Sequence, residues 1–412
     1  AKVRSFHTEK DLLMAFVTSW EEISPSIITG WNIDFFDVTY LYNRLKVLFG
    51  TTVANRLSPI GKVHWNKYRK RYIIAGVSAL DYIALYKNFT YTQLPNYRLD
   101  TVARKELSRG KIEYDGNLDQ LFRDDIEKFI EYNLVDVELV VDMDRKLQFI
   151  QLAQAICHAG HVFYEDFLFS SKWLEGAILT FLRRSGRVAP NKPLRRNREE
   201  EENNKFTGAY VKEPKPGLYK WVYDLDLTSL YPSIIMTINI SPETKIGKVN
   251  DYSAEKHMKK EMESYVITDV NRETLPPMNI DEFNEFINKM NLSVASNGVM
   301  YTKNRVGVIP EILDVWFSKR VEYKNLMKKY GKAGNDDLYK FYHQRQLVQK
   351  IMLNSLYGVL GLPAFRFYDI DNAEGVTLTG QTVIKTTEMI ANQYYVKNIG
   401  KEADYNVYTD TD

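Results

Sequence analysis

The apolar positions of this chain fall into blocks with different periods. Val38, Leu41, Tyr42, Leu45 and Leu48 in DVTYLYNRLKVLFG recur at three- and four-residue intervals, which predicts a helix with one buried stripe. The preceding SPSIITGWNI is a short apolar run behind a turn signal and predicts a strand. Residues 62–74 alternate and mix aromatic with basic side chains, as a β-hairpin would. A long helical pattern covers 118–148, with Phe129, Tyr132, Leu134, Val137 and Val141 expected to face a core, and 149–186 continues helical and apolar. GAYVKEPKPGLYKWVYDLDL reads as strand, Pro-Gly turn and strand. That places Asp226 near the carboxyl end of a strand, with Asp224 on the same face. The polar stretch 251–290 reads as a helical surface excursion, and SNG at 296–298 as a turn between LSVA and VMYT. From 310 to 360 two helical patterns separated by KAGNDD predict a helical hairpin. A helix over 373–397 and a strand in DYNVYTDTD complete the reading.

Composition adds limits. At 412 residues the chain can hold two or three domains, and 44% hydrophobic with 26% charged residues describes an ordinary globular protein. No run of about 18 apolar residues occurs, so no membrane partner is expected. The single cysteine, Cys157, excludes an internal disulfide and a multi-cysteine zinc site, and a reducing cytoplasm fits. A net charge of +2 does not by itself point to nucleic acid. The positive charge is instead local, in KVHWNKYRKRY, KPLRRNR and KRVEYKNLMKK. The loop RVAPNKPLRRNREEEENNKFTG marks a domain boundary.

Three strings carry candidate chemistry: DLDLTSLYPS with Asp226, KIMLNSLYG with Lys350, Asn354, Tyr357 and Gly358, and YTDTD with Asp410 and Asp412. Aspartates near strand ends are the hard oxygen donors that divalent ions need, and two such ions suit phosphoryl transfer. Lys350, Asn354 and Tyr357 lie at i, i+4 and i+7 and share one helix face. Arg320 and Lys324, behind GVIPEIL, form a second cationic pair at i and i+4, and a guanidinium suits bidentate phosphate contact. Taken singly, an acidic pair near a turn is a solvated pair, and the Lys-Asn-Tyr stripe is an exposed helix face. In this order and together, the strings resemble motifs A, B and C of family B DNA polymerases. The surrounding text narrows the resemblance to the replicative polymerases of T-even-type tailed bacteriophages.

The resemblance extends upstream. GWNIDFFDVTYLYNR, with Asn32, Phe36 and Asp37, is similar to the second motif of DEDDy-type 3′–5′ exonucleases, and YNLVD, with Tyr132 and Asp136, to the third. It implies an α/β multidomain fold in which a truncated RNase H-like exonuclease domain (1–148, N-terminal part missing) precedes a helical connecting segment and linker (149–205). A first part of a palm with motif A (206–306), short two-helix fingers with motif B (307–361) and a second part of the palm ending in motif C (362–412) follow. Asp226 and Asp412 are then metal ligands with Asp410 beside them, and Asp37 and Asp136 hold metal in the exonuclease, where Tyr132 orients the attacking water. Leu227, Ser229, Leu230, Tyr231, Arg320, Lys324, Lys350, Asn354, Tyr357 and Gly358 receive the nucleotide. Tyr231 leaves no room for a 2′-hydroxyl. Asn32 and Phe36 contact DNA, as does Tyr210 unless it is a plain strand aromatic.

The implied activity is two-metal, primer-directed DNA synthesis with 3′–5′ proofreading in phage replication, in the cytoplasm of the infected bacterial host. Mg²⁺ is the expected ion, two per site, with Mn²⁺ as an alternative. Expected partners are primer-template DNA, deoxynucleoside triphosphates, a sliding clamp and replisome proteins. The Asp-x-Glu exonuclease motif is expected to precede residue 1, and the chain alone is expected to be inactive in both reactions. The stop at YTDTD suggests a split gene or an intein site, with a second polypeptide completing palm and thumb. A stand-alone 3′–5′ exonuclease and a non-catalytic DNA-binding derivative of a polymerase are the competing readings.

Overall fold

In the computed structural model, which describes residues 3–90, 92–192 and 207–411, the chain divides into two compact units at Phe169/Ser170. The first begins with α1 (Glu9–Ile23), whose N-terminus is capped by the Thr8 side chain, and continues through β1 (Ile27–Gly30) into α2 (Asp37–Ala54). The stripe read from the sequence is the stripe that is buried: Val38, Tyr42 and Leu45 join Val17, Ile33, Leu57, Ile74 and Val77 in one apolar cluster. The hairpin forms as β2 (Val63–Asn66) and β3 (Arg71–Ile74). Next, β4 (Ser78–Asp81) lies parallel to β1, with Gly30 opposite Asp81, and leads into α3 (Tyr82–Phe89).

The helices α4 (Leu99–Leu107), α5 (Leu118–Asp124), α6 (Ile126–Leu147) and α7 (Phe149–Gly160) complete the described α-helices of this unit. The pattern over 118–148 is broken at Asp125 (φ −147°, ψ 84°), whose carboxylate accepts the Lys128 N–H and starts α6 afresh. The expected core face of α6 is also corrected. Leu134, Val137 and Val141 are exposed, and Leu139, Val140 and Met143 are buried, because α6 turns that face toward its neighbours α4 and α5. Phe149 of α7 packs its ring among Tyr82, Tyr86 and Phe89. The first helix of the expected connecting segment therefore belongs to this unit.

In the second unit α8 (Ser170–Arg184) packs on two long helices, α12 (Val308–Lys332) and α13 (Asp336–Leu360), which form the helical hairpin read from the sequence. Between α8 and that hairpin come β5 (Val211–Lys212) and α9 (Leu230–Ile238). An antiparallel sheet in the order β7-β6-β9-β8 follows, from β6 (Lys245–Val249), β7 (Ile267–Asp269), β8 (Leu292–Val294) and β9 (Val299–Thr302). With α10 (Ala254–Met258) and α11 (Ile280–Lys289), it replaces the helical excursion expected over 251–290. Few but well-placed apolar groups give this stretch its own core, in which the rings of Tyr265 and Phe283 stack with centroids 4.2 Å apart. The helix α14 (Ile370–Ile399) and the short β10 (Thr409–Asp410) complete the described residues.

One expectation fails where it matters for the site. Residues 222–227 form no strand: β10 pairs with β5, Asp410 opposite Val211, and the motif A segment has no ladder partner among the described residues. Trp221 is 99% exposed, and Val222, Tyr223 and Leu225 are exposed with it. Alternating β-formers make a strand only when a neighbour supplies the hydrogen bonds.

Candidate active sites

The nucleotide candidates gather at the N-terminus of α9. Ser229 takes a left-handed conformation there (φ 56°, ψ 46°), unusual for a residue with a side chain, and turns the chain sharply into the helix. Arg320 of α12 donates from Nη1 to Ser229 Oγ at 3.4 Å. Its Nε is buried and has no hydrogen-bond partner among the described residues, and burial holds the guanidinium below its usual value. Tyr231 meets Tyr357 of α13 with ring centroids 4.5 Å apart. A Cβ at Gly380 of α14 would lie 3.0 Å from Tyr231 Cε1, so the glycine lets α14 receive the ring. Three helices thus converge on one helix end, around residues up to about 150 positions apart.

Lys350, Asn354 and Gly358 lie exposed on α13, and Lys324 is exposed on α12. The opposite side of α13 buries Val348, Met352, Leu353, Leu356 and Val359, so the polar stripe is the open face of that helix. Leu230 is buried, and Leu227 is half-buried.

The acidic candidates do not converge in the same way. Asp226 is exposed in the unpaired segment just before α9. Asp410 is exposed on β10, where its carboxylate accepts from Tyr408 Oη at 3.1 Å and Thr411 Oγ1 at 2.9 Å. Asp412 lies outside the described residues. β10 is nonetheless held firmly. Thr411 N–H donates to Tyr210 O, Lys215 N–H to Val407 O, and Lys212 and Lys215 both bind Asp404, pulling its carboxyl far below the usual range. Tyr210 sits under the Lys385 ammonium, 5.0 Å from its ring centroid.

The second site is in the first unit. Asn32, in a left-handed conformation (φ 65°), follows β1. The turn 32–36 leads to Asp37 in the first turn of α2, and burial raises the Asp37 carboxyl above its ordinary value. Phe36 is exposed. The sequence reading missed the group that holds this turn. Asp81, buried at the end of β4, accepts backbone N–H bonds from Asn32 (2.9 Å), Asp34 (3.3 Å) and Ile83 (3.1 Å). Burial pushes its carboxyl up to about 6 against the pull of those donors. Asp34 is itself buried against Arg71 of β3, which ties the hairpin to the same turn.

On α6, Tyr132 and Asp136 share a face and a partner that was also missed. Lys111 Nζ lies 2.6 Å from Asp136 Oδ2 and 3.0 Å from Tyr132 Oη. Burial lowers the Lys111 ammonium, but the hydrogen bonds and charges of Asp136 and Tyr132 more than offset this and leave it above its usual value. Asp136 Oδ1 is buried with no hydrogen-bond partner among the described residues, and its hard oxygen fits a divalent cation. Among the described residues, however, no group of three or more His, Cys, Asp or Glu is clustered to hold a metal, and no helix is long and apolar enough to cross a membrane. Lys111 carried only a weak signal, a basic residue in the loop GKIEYDG.

Comparison with known proteins matches two stretches of the chain to two family descriptions. The model of DNA polymerase family B covers residues 169–412, and that of the DNA polymerase family B exonuclease domain covers residues 1–102. The chain belongs to DNA polymerase family B and carries the exonuclease domain of that family. It is 32% identical, over 99% of its length, to the DNA-directed DNA polymerases of Escherichia phage RB69 and Enterobacteria phage T4, in each case across 48% of the relative. A DNA polymerase of Thermococcus gorgonarius is 27% identical over 98% of the chain and 46% of that relative. The chain thus spans about half the length of the curated relatives it matches.

Proposed function

We propose that this chain belongs to a DNA-directed DNA polymerase with 3′–5′ proofreading that extends primers on a template during phage DNA replication. The convergence of Ser229, Tyr231, Arg320 and Tyr357 carries the reading, because it sets an arginine with an unsatisfied buried Nε beside an aromatic pair. Arg320, Lys324 and Lys350 bind the triphosphate, and Leu227, Ser229 and Leu230 shape the pocket floor. Asn354, Tyr357 and Gly358 face the nascent base pair, and Tyr231 excludes a 2′-hydroxyl. In the exonuclease, Asn32 and Phe36 hold the primer end, and Tyr210 contacts template between the two activities.

The family's divalent ions, with Mg²⁺ expected at two per site, would be held by Asp226 and Asp412 beside Asp410, and by Asp37 and Asp136. When bound they neutralise phosphate charge and activate the attacking oxygen. Tyr132 orients the attacking water, and Lys111 holds the Tyr132 and Asp136 side chains in place. Lys111→Met should therefore slow 3′–5′ degradation about tenfold to a hundredfold while leaving nucleotide incorporation unchanged. Equal exonuclease rates in variant and wild type would remove Lys111 from that site.

Primer extension with single deoxynucleotides by the native protein that contains this chain tests the main reading. Degradation without extension favours a stand-alone exonuclease, and DNA binding with neither reaction favours a non-catalytic derivative. The clamp and the replisome partners belong to the same proposal.

A further inference from the structure

The two ends of α9 touch α12 in unequal ways. At the α9 C-terminus the chain enters loop 239–243, and its side chains meet the whole first turn of α12. Asn239 Oδ1 accepts the Gly307 N–H at 2.8 Å, Glu243 Oε1 the Val308 N–H at 2.6 Å, and Ser241 Oγ the Ile309 N–H at 3.4 Å. Residue 310 is proline and has no N–H to satisfy, and Glu311 N–H returns to Gly307 O within the helix. No donor of that turn is left over, although Gly307 itself offers no capping side chain.

The clasp is braced from behind. Asn239 Nδ2 donates to Thr302 O at 2.6 Å and Arg305 O at 2.8 Å, Thr244 Oγ1 donates to Asn239 O at 2.6 Å, and Ser241 Oγ donates to Glu243 Oε2 at 2.7 Å. Asn239, Ser241 and Thr244 are buried. A Cβ at Gly307 would fall 2.6 Å from Ser241 Cβ, so the two backbones are in close contact. At the α9 N-terminus, by contrast, the bond from Arg320 to Ser229 is long, and among the described residues Arg320 Nε has no partner. Arg320 stands twelve residues along α12 from Val308, about 18 Å at 1.5 Å per residue.

We infer that loop 239–243 is the pivot of α12, and that Asn239, Ser241 and Glu243 are positioning residues for nucleotide binding. The buried clasp holds the base of the helix. The weak distal contact is the one that can be exchanged for a phosphate oxygen, which would satisfy the orphaned Nε of Arg320. This inference rests on the polymerase reading proposed above.

The test uses Glu243→Ala and Glu243→Gln in the native polymerase. Glu243 is exposed, and the Gln variant keeps the oxygen that accepts the Val308 N–H. Glu243→Ala is expected to raise KM for all four deoxynucleotides about tenfold with kcat within about twofold. Primer-template affinity and 3′–5′ degradation should not change, and Glu243→Gln should restore KM to near wild type. Hydrogen exchange at the amides of residues 307–309 should quicken in the Ala variant alone. Faster exchange with unchanged KM overturns the inference, because the clasp would then hold the helix without placing Arg320. Parallel losses in DNA affinity and degradation overturn it too, as general destabilisation. A wild-type protein that never incorporates nucleotides refutes the polymerase reading instead, and the exchange data still report on the clasp.

Discussion

Asp226→Asn is expected to abolish templated incorporation in the native polymerase that contains this chain, a loss of at least about a thousandfold. The substitution preserves shape and removes only the negative charge that a divalent ion requires. Asp226 is exposed and lies in no regular element, so the fold should hardly notice the change. Primer-template affinity should stay within about twofold, since it comes from many phosphate contacts spread over the surface. Single-turnover incorporation beside a DNA-binding titration checks both halves. Near-normal incorporation would take Asp226 out of the metal site and leave only the nucleotide cluster at α9.

Asp37→Asn should have the second largest effect, this time on degradation. Asp37 opens α2 immediately after the turn that Asp81 holds, and it carries one of the two carboxylates assigned to the exonuclease metals. Loss of its charge should reduce 3′–5′ hydrolysis by at least about a hundredfold, with incorporation intact. The substitution should cost little stability, because burial already disfavours the charged form of Asp37. Digestion of a labelled single strand, measured beside primer extension, separates the two activities. If extension fell along with digestion, the two units would not carry separate chemistries.

What could be read from the chain follows from how local each signal is. The stripe of α2 and the hairpin of α12 and α13 appeared in the sequence because their spacing alone determines which face is apolar. The common face of Lys350, Asn354 and Tyr357 was legible for the same reason, since those spacings fall on one side of any α-helix. The strand expected at Asp226 does not form, because a strand exists only with a partner, and β10 pairs with β5 instead. The core face of α6 was misread because Leu134 and Leu139 are equally apolar, and only the positions of α4 and α5 decide between them. Lys111, Asp81 and the clasp at 239–243 act through hydrogen bonds to groups distant in sequence, and polar residues in loops announce no such partners.

The most direct measurement is the sugar selectivity of Tyr231→Ala, with Tyr231→Phe as control, in the native polymerase. The account puts the Tyr231 ring, backed by Tyr357 and seated against Gly380, where a 2′-hydroxyl would have to go. Removing the ring should lower the preference for deoxy- over ribonucleotides by about a hundredfold or more, with deoxynucleotide incorporation retained within about tenfold. The Phe variant should keep the wild-type preference. An unchanged preference in an active Ala variant would contradict the account, because the nucleotide's sugar would then not lie at the N-terminus of α9.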